Sequence, residues 1–188
     1  GVLGALLVLL LLFMAMAAPL LARYPYSETH LDERLEKPSR KYWLGTDSSG
    51  RDMYSCMVYG ARVSVTVSFI AVAISAAIAT AIGVISAYYN GWLDTLLQRL
   101  VDVWLSFPSL VVLISIIAVI GKGVPQLAIA IGLLMSAGSS RVVRSSALVV
   151  RSSQYIEAAH AVGASDLGIM LRHILPNVLP VIIVVATV

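Results

Sequence analysis

The chain has 188 residues, of which 59% are hydrophobic and only 12% charged, and its mean hydropathy is +0.91. A soluble domain of this size cannot hide so much apolar surface, so the composition excludes a soluble enzyme fold and points to a helical membrane protein with no separate soluble domain. The net charge of +3 comes from basic residues interleaved with acids rather than striped along a face, which excludes a nucleic-acid surface, and the single cysteine, Cys56, excludes an intrachain disulfide and a multi-cysteine metal site.

Val2 to Leu21 is uninterrupted apolar sequence, about the length needed to cross a hydrocarbon core of about 30 Å. It reads as the first span, with Arg23 and Tyr24 marking an interface. A signal peptide is the rival reading, since Ala15-Met16-Ala17 resembles a cleavage site. The apolar run is longer than a signal core, however, and no basic start is visible in the sequence. From Arg23 to Arg62 the chain is polar, with Pro25, Pro38 and the turn-forming cluster Gly45-Thr46-Asp47-Ser48-Ser49-Gly50-Arg51-Asp52, and reads as a folded loop outside the hydrocarbon. Gly45 and Gly50 have the spacing of a phosphate loop, but Arg51-Asp52 stand where Lys-Ser/Thr is required, so neither the phosphate lysine nor the magnesium hydroxyl is present.

Val63 to Tyr88 is the second span. Ala73, Ala77 and Ala81 form one ridge of small residues and Ala79, Gly83 and Ala87 another, so close packing in a bundle is expected. Between Tyr88 and Trp104, Leu96, Leu97, Leu100 and Val101 oppose Asp94, Gln98, Arg99 and Asp102, the pattern of a helix lying along the membrane surface. Leu105-Ser106-Phe107-Pro108 opens a third span to about Ile120, with proline tolerated in its first turn. Gln126 to about Val143 is the fourth, its Gly132, Ser136, Gly138, Ser139 and Ser140 suiting either close packing or a polar wall. Arg141, Arg144 and Arg151 follow where it leaves the membrane, on a helix expected to run on toward Glu157. The fifth span opens at Pro176 and reaches only Val188, about 20 Å of helix. With no initiating methionine at Gly1, both ends read as cut.

The one sizeable polar loop of the second half runs from Glu157 to Pro176. Ala158, Ala159 and Ala161 favour helix, Gly163 suits a left-handed helix end, and Ser165 or Asp166 suits a cap for a second helix. In that second helix Leu167, Met170, Leu171, Ile174 and Leu175 recur at helical spacing while Asp166 and Arg172 point elsewhere, so it is expected to lie along a surface or in a groove. No charged residue or histidine falls in the centre of a span, which argues against an ion-coupled transporter. His30, His160 and His173 lie on two different loops and do not form a metal site.

Glu157-Ala158-Ala159, Gly163 and Leu175-Pro176 are spaced as in the EAA loop of bacterial ABC-importer permeases, and Arg172-His173-Ile174-Leu175-Pro176-Asn177 resembles the version in the dipeptide, oligopeptide and nickel branch. His173 stands where the superfamily usually has isoleucine. Leu44-Gly45-Thr46-Asp47, Gly50-Arg51-Asp52, Ser55 and Gly60-Ala61-Arg62-Val63-Ser64 resemble a second signature of that branch, with Cys56 where arginine is common. The chain is thus similar to the C-type permease subunit of these importers.

The resemblance implies an all-α, polytopic bundle of about six spans in the bacterial inner membrane, five of them visible, forming one domain over residues 1–188. Residues 22–62 would be an extracytoplasmic loop, carrying the motif residues Gly45, Thr46, Asp47, Gly50, Arg51, Asp52, Gly60 and Arg62. Residues 144–176 would be a cytoplasmic loop coupling to an ATPase through Glu157, Ala158, Ala159, Gly163, Asp166, Leu167, Met170, Leu171, Arg172, Leu175 and Pro176. Of these, Glu157 and Arg172 would make polar contacts, and Leu167, Met170 and Leu171 would fill the ATPase groove. The implied partners are a second, homologous permease subunit, two ATPase subunits that bind the ATP and magnesium, an extracytoplasmic solute-binding protein and membrane lipid. The chain itself would bind no cofactor and have no enzymatic activity. Di- or oligopeptides are the implied substrate, nickel or another small solute the alternative, and a non-transporting membrane scaffold the reading from another class.

Overall fold

The computed structural model describes residues 2–187, and every regular element among them is helical. The chain divides into two compact units, residues 1–68 and 69–188.

The first unit opens with α1 (Val2–Met16) and the short α2 (Ala18–Leu21), so the expected first span is interrupted at Ala17, and α1 has 15 residues. The polar segment that follows is a knot tied by its own side chains. A 3₁₀ turn at Leu31–Glu33 presents Glu33 to Lys41 Nζ at 2.5 Å and to the hydroxyl of the fully buried Tyr42. Thr46 Oγ1 donates to the Glu33 carbonyl at 2.5 Å and accepts from Glu36 N at 2.9 Å. Asp47 Oδ1 accepts from the backbone N–H of Ser49 (2.7 Å) and Arg51 (3.0 Å), and Arg51 Nε donates back to Asp47 Oδ2 at 2.8 Å. Gly45 and Gly50 both have left-handed φ, +78° and +75°. A Cβ on Gly50 would also overlap the His30 carbonyl, and one on Gly45 the Glu36 carbonyl.

The loop ends ten residues earlier than the sequence suggests. Asp52 Oδ2 accepts from Ser55 N at 3.0 Å, a cap that starts α3 (Met53–Tyr89) at once, and Gly60 and Arg62 therefore sit in helix rather than loop. Ser55 Oγ gives its proton to Asp52 Oδ2 (2.6 Å) and accepts from Arg23 N and Tyr24 N, each at 3.1 Å, which seats the loop's entry on the start of α3.

The second unit holds the rest of α3 with α4 (Gly91–Ser106), α5 (Ser109–Ile120), α6 (Val124–Arg151), α7 (Gln154–Ala161) and α8 (Asp166–Ile169); after a π-helical turn at Met170–Ile174 comes α9 (Leu175–Thr187). Of the two alanine ridges on α3, Ala79, Gly83 and Ala87 are buried, while Ala73, Ala77 and Ala81 face outward. A Cβ on Gly83 would lie 2.8 Å from Arg144 N and 2.9 Å from the Ser140 carbonyl, and one on Gly132 would lie 2.8 Å from the Ala71 carbonyl, so α3 and α6 meet backbone to backbone. Ser136 and Ser140 are buried and donate within α6, to the Leu133 and Ala137 carbonyls at 2.7 Å each; here the serines serve close packing, and Gly138 faces outward.

Three expectations are corrected in this unit. The third span is broken: Phe107 (ψ 141°) and Pro108 (ψ 126°) are both extended, and α4 and α5 meet at 95°. The cause is proline's bias against helix in the residue before it, and α5 alone, 12 residues or about 18 Å, does not cross a bilayer. The helix carrying Arg141 and Arg144 stops at Arg151 and does not reach Glu157; Ser152 and Ser153 separate it from α7. Finally, the second helix of the 157–176 segment and the fifth span are one continuous helix, Asp166–Thr187. Among the described residues, three helices, α3, α6 and Asp166–Thr187, are by length and composition able to span, four if α4–α5 is one bent span; five spans were expected.

Candidate functional site

The turn between α7 and α8 is built from residues that each answer a backbone need. Ser153 (φ −80°, ψ 143°) starts α7, on which Ile156 and Ala159 are buried while Glu157, Ala158, His160 and Ala161 face outward. At its end Gly163 takes φ +80°. Its N–H donates to the His160 carbonyl at 2.9 Å, and Ala164 N donates to the Ala159 carbonyl at 3.0 Å. These are the paired 5→2 and 6→1 bonds of a Schellman ending, which only a left-handed residue completes. Ser165, rather than Asp166, then caps α8, its Oγ accepting from Gly168 N at 3.3 Å. Asp166 occupies the first helical position, where the helix dipole favours a carboxylate.

The π turn decides which side chains of the next segment are free. Five-residue spacing in a π turn keeps Ile169 and Ile174 on one face, where an uninterrupted α-helix would set them about 140° apart. Leu175 N accordingly bonds the Met170 carbonyl, and Ile169, Met170, Ile174 and Val178 all bury in the core with Ile156, Ala159, Val143 and Ala147. The apolar stripe read from the sequence is therefore split. Met170 and Ile174 pack inward, so Met170 does not offer itself to a groove, whereas Leu167 (63% exposed), Leu171 (52%) and Arg172 face out beside Val162 (84%). Leu175 is half-buried and Pro176 exposed. Asn177 Nδ2 donates to the His173 carbonyl at 2.6 Å.

Two contacts join this turn and its neighbours to the end of α3, and the sequence reading named neither. Tyr88, nearly buried, donates its hydroxyl to Asp166 Oδ1 at 2.7 Å, and its ring stacks on His160 with centroids 5.9 Å apart and planes 19° from parallel. Two residues earlier, Ser86 donates to Asp94 Oδ1, and Arg144 grips the same carboxylate with a fork, Nε to Oδ1 at 2.7 Å and Nη2 to Oδ2 at 2.5 Å. Gln98 Nε2 donates to Ser86 Oγ at 3.1 Å, and Arg141 pairs with Asp102. α4 thus turns Asp94 and Gln98 toward the bundle together with Val101, while Arg99 and Asp102 are exposed along with Trp92, Leu96, Leu100 and Val103, so its faces do not sort by polarity as the sequence pattern suggested. The i, i+4 spacing of Asp94 and Gln98, with basic residues three apart on α6, was the available signal, but nothing in one sequence says which arginine meets which aspartate.

The sequence model of the family described as binding-protein-dependent transport system inner membrane component matches residues 79–188, more than half of the chain and nearly all of the second unit. A model of the N-terminal TM domain of oligopeptide transport permease C matches residues 1–38. Among curated proteins, a dipeptide transport system permease protein of Alkalihalophilus pseudofirmus is 39% identical over 187 residues, 100% of this chain and 62% of that protein. Glutathione transport system permease proteins of Escherichia coli and Shigella boydii are each 39% identical over 186 residues, 98% of this chain and 61% of theirs. The chain therefore spans about three-fifths of the length of these relatives. With the all-helical bundle and the match over residues 79–188, the chain belongs to the family of binding-protein-dependent transport system inner membrane components.

Proposed function

We propose that this chain is the permease subunit of an ATP-binding-cassette importer for short peptides, and that the turn between α7 and α8 is its coupling element. The observation that carries the reading is the turn itself. A Schellman ending and a serine cap fix its backbone, Ile156, Ala159, Ile169 and Met170 anchor it inward, and Val162, Leu167 and Leu171 stand exposed beside Glu157 and Arg172. A rigid knob with an apolar tip and charges of both signs suits docking into a groove on a partner better than contact with lipid tails. Short peptides are the substrate favoured here because two relatives are named for dipeptide and for glutathione transport.

On this reading the turn lies in the cytoplasm and residues 22–52 face the other side. Two partner ATPases bind the ATP and magnesium and press on the turn, α9 and α6 rock with it as rigid rods, and a second permease subunit completes the path. An extracytoplasmic binding protein delivers the peptide. The test is uptake of radiolabelled alanyl-alanine and radiolabelled glutathione into vesicles carrying the full-length protein with its co-purified subunits. Accumulation that needs ATP inside the cytoplasmic compartment supports the importer, and uptake of neither peptide with ATP present contradicts it.

A further inference from the structure

Two polar contacts meet at the end of α3: Tyr88 with Asp166 and His160, and Ser86 with Asp94. We propose that Tyr88 is a positioning residue: its hydrogen bond to Asp166 and its stacking on His160 carry movement of the α7–α8 turn into the bundle. The inference rests on the coupling reading of the turn.

The geometry supports it in three steps. Among the described residues, Tyr88 is the one side chain of α3 bonded to the turn, and it touches both sides of it, His160 before Gly163 and Asp166 after it. A push on the turn therefore cannot displace either helix end without loading the same phenol. Next, Tyr88 is nearly buried and forms a T-shaped pair with Tyr89, ring centroids 5.1 Å apart, so the phenol has little freedom to follow the turn passively. Lastly, two residues back on α3, Ser86 donates to the Asp94 carboxylate that Arg144 holds by two bonds, so displacement of the end of α3 reaches α4 and α6 through charge-assisted contacts. Coupling needs a contiguous physical connection with groups that hold their geometry, and the connection from turn to α3 to α4 and α6 is continuous here.

A residue that only stabilised the fold would lower the amount of complex. A positioning residue changes what the assembled complex does with each ATP. The experiment uses the full-length protein purified with its ATPases, reconstituted in vesicles, with radiolabelled alanyl-alanine and glutathione as probes and the ratio of peptide accumulated to ATP hydrolysed as readout. Tyr88→Phe keeps the ring and its stack but loses the donor, and is expected to lower the ratio about fivefold, the scale of one hydrogen bond. Asp166→Ala should do the same, the double variant no worse than either single one. Asp166→Asn, whose amide oxygen still accepts from the hydroxyl, should recover the ratio to within about twofold. Recovery of the ATPases with each variant monitors assembly. An unchanged ratio in Tyr88→Phe, or equal loss in Asp166→Asn and Asp166→Ala, overturns the proposal while leaving the importer reading intact. Failure of the wild-type complex to retain ATPases or to take up either peptide overturns both.

Discussion

At Gly163 the backbone and the space around it make different demands. A Cβ there would meet nothing within 4 Å, so no neighbour excludes a side chain; the constraint is the φ of +80° alone. Gly163→Val should therefore cost about 1–2 kcal/mol in the turn, since a β-branched residue is strained in the left-handed region. The expected result is a complex that still assembles but takes up peptide poorly with ATP, while Gly163→Asn, which tolerates that φ better, loses much less; vesicle uptake by the two variants checks this. The Asp94–Arg144 pair makes the opposite demand, being set by partners. Arg144→Met leaves the Asp94 carboxylate nearly buried with only Ser86 to answer it, and should lower stability by about 1–3 kcal/mol, less than for a fully buried pair because the Arg144 side chain is 28% exposed. Thermal unfolding in detergent measures the loss, and adding Asp94→Asn should restore part of it by removing the unpaired charge.

Among the elements, the Asp166–Thr187 helix shows where the sequence was legible and where it was not. The turn could be read because glycine and serine carry backbone preferences in themselves: Gly163 had to end one helix and Ser165 could begin the next. The π turn was not readable. Leu167, Met170, Leu171, Ile174 and Leu175 fit an α-helical stripe equally well, and only packing of Ile169 and Ile174 against one core selects the wider turn that sends Met170 inward. Tertiary packing likewise overrode the reading of α4, whose aspartates found arginines on α6. The polar segment of the first unit reads more directly, because its order comes from local bonds between turn-forming residues. Its Asp47 carboxyl is held below the usual range by the Arg51 N–H first, with the Ser49 N–H and the Arg51 guanidinium adding to it, and Glu33 is held low by Lys41 and then Tyr42. Both groups lose protons more readily folded than unfolded, so their contribution is present at neutral pH and fades as pH falls below about 4 through the folded values. Limited proteolysis of residues 22–52 should accelerate over that acid window, and Asp47→Asn should cleave faster at pH 7 with a flatter pH profile.

For the whole molecule, composition decided the class. No soluble packing hides a chain that is 59% hydrophobic, and the helical bundle follows from the need to satisfy backbone groups in lipid. The number of spans was less accessible. Hydropathy does not register the extended pair Phe107–Pro108 or the interruption at Ala17, so runs that read as single spans are two helices each. The central claim, that the α7–α8 turn docks an ATPase, is tested most directly by photo-crosslinking from the full-length protein in native membranes. A photoreactive residue at Val162 or Leu167, both exposed on the turn, should capture an ATPase subunit, whereas one at Val103, also exposed but on α4, should not. Capture of no ATPase from Val162 or Leu167, in membranes where the protein is present at normal levels, would contradict the account.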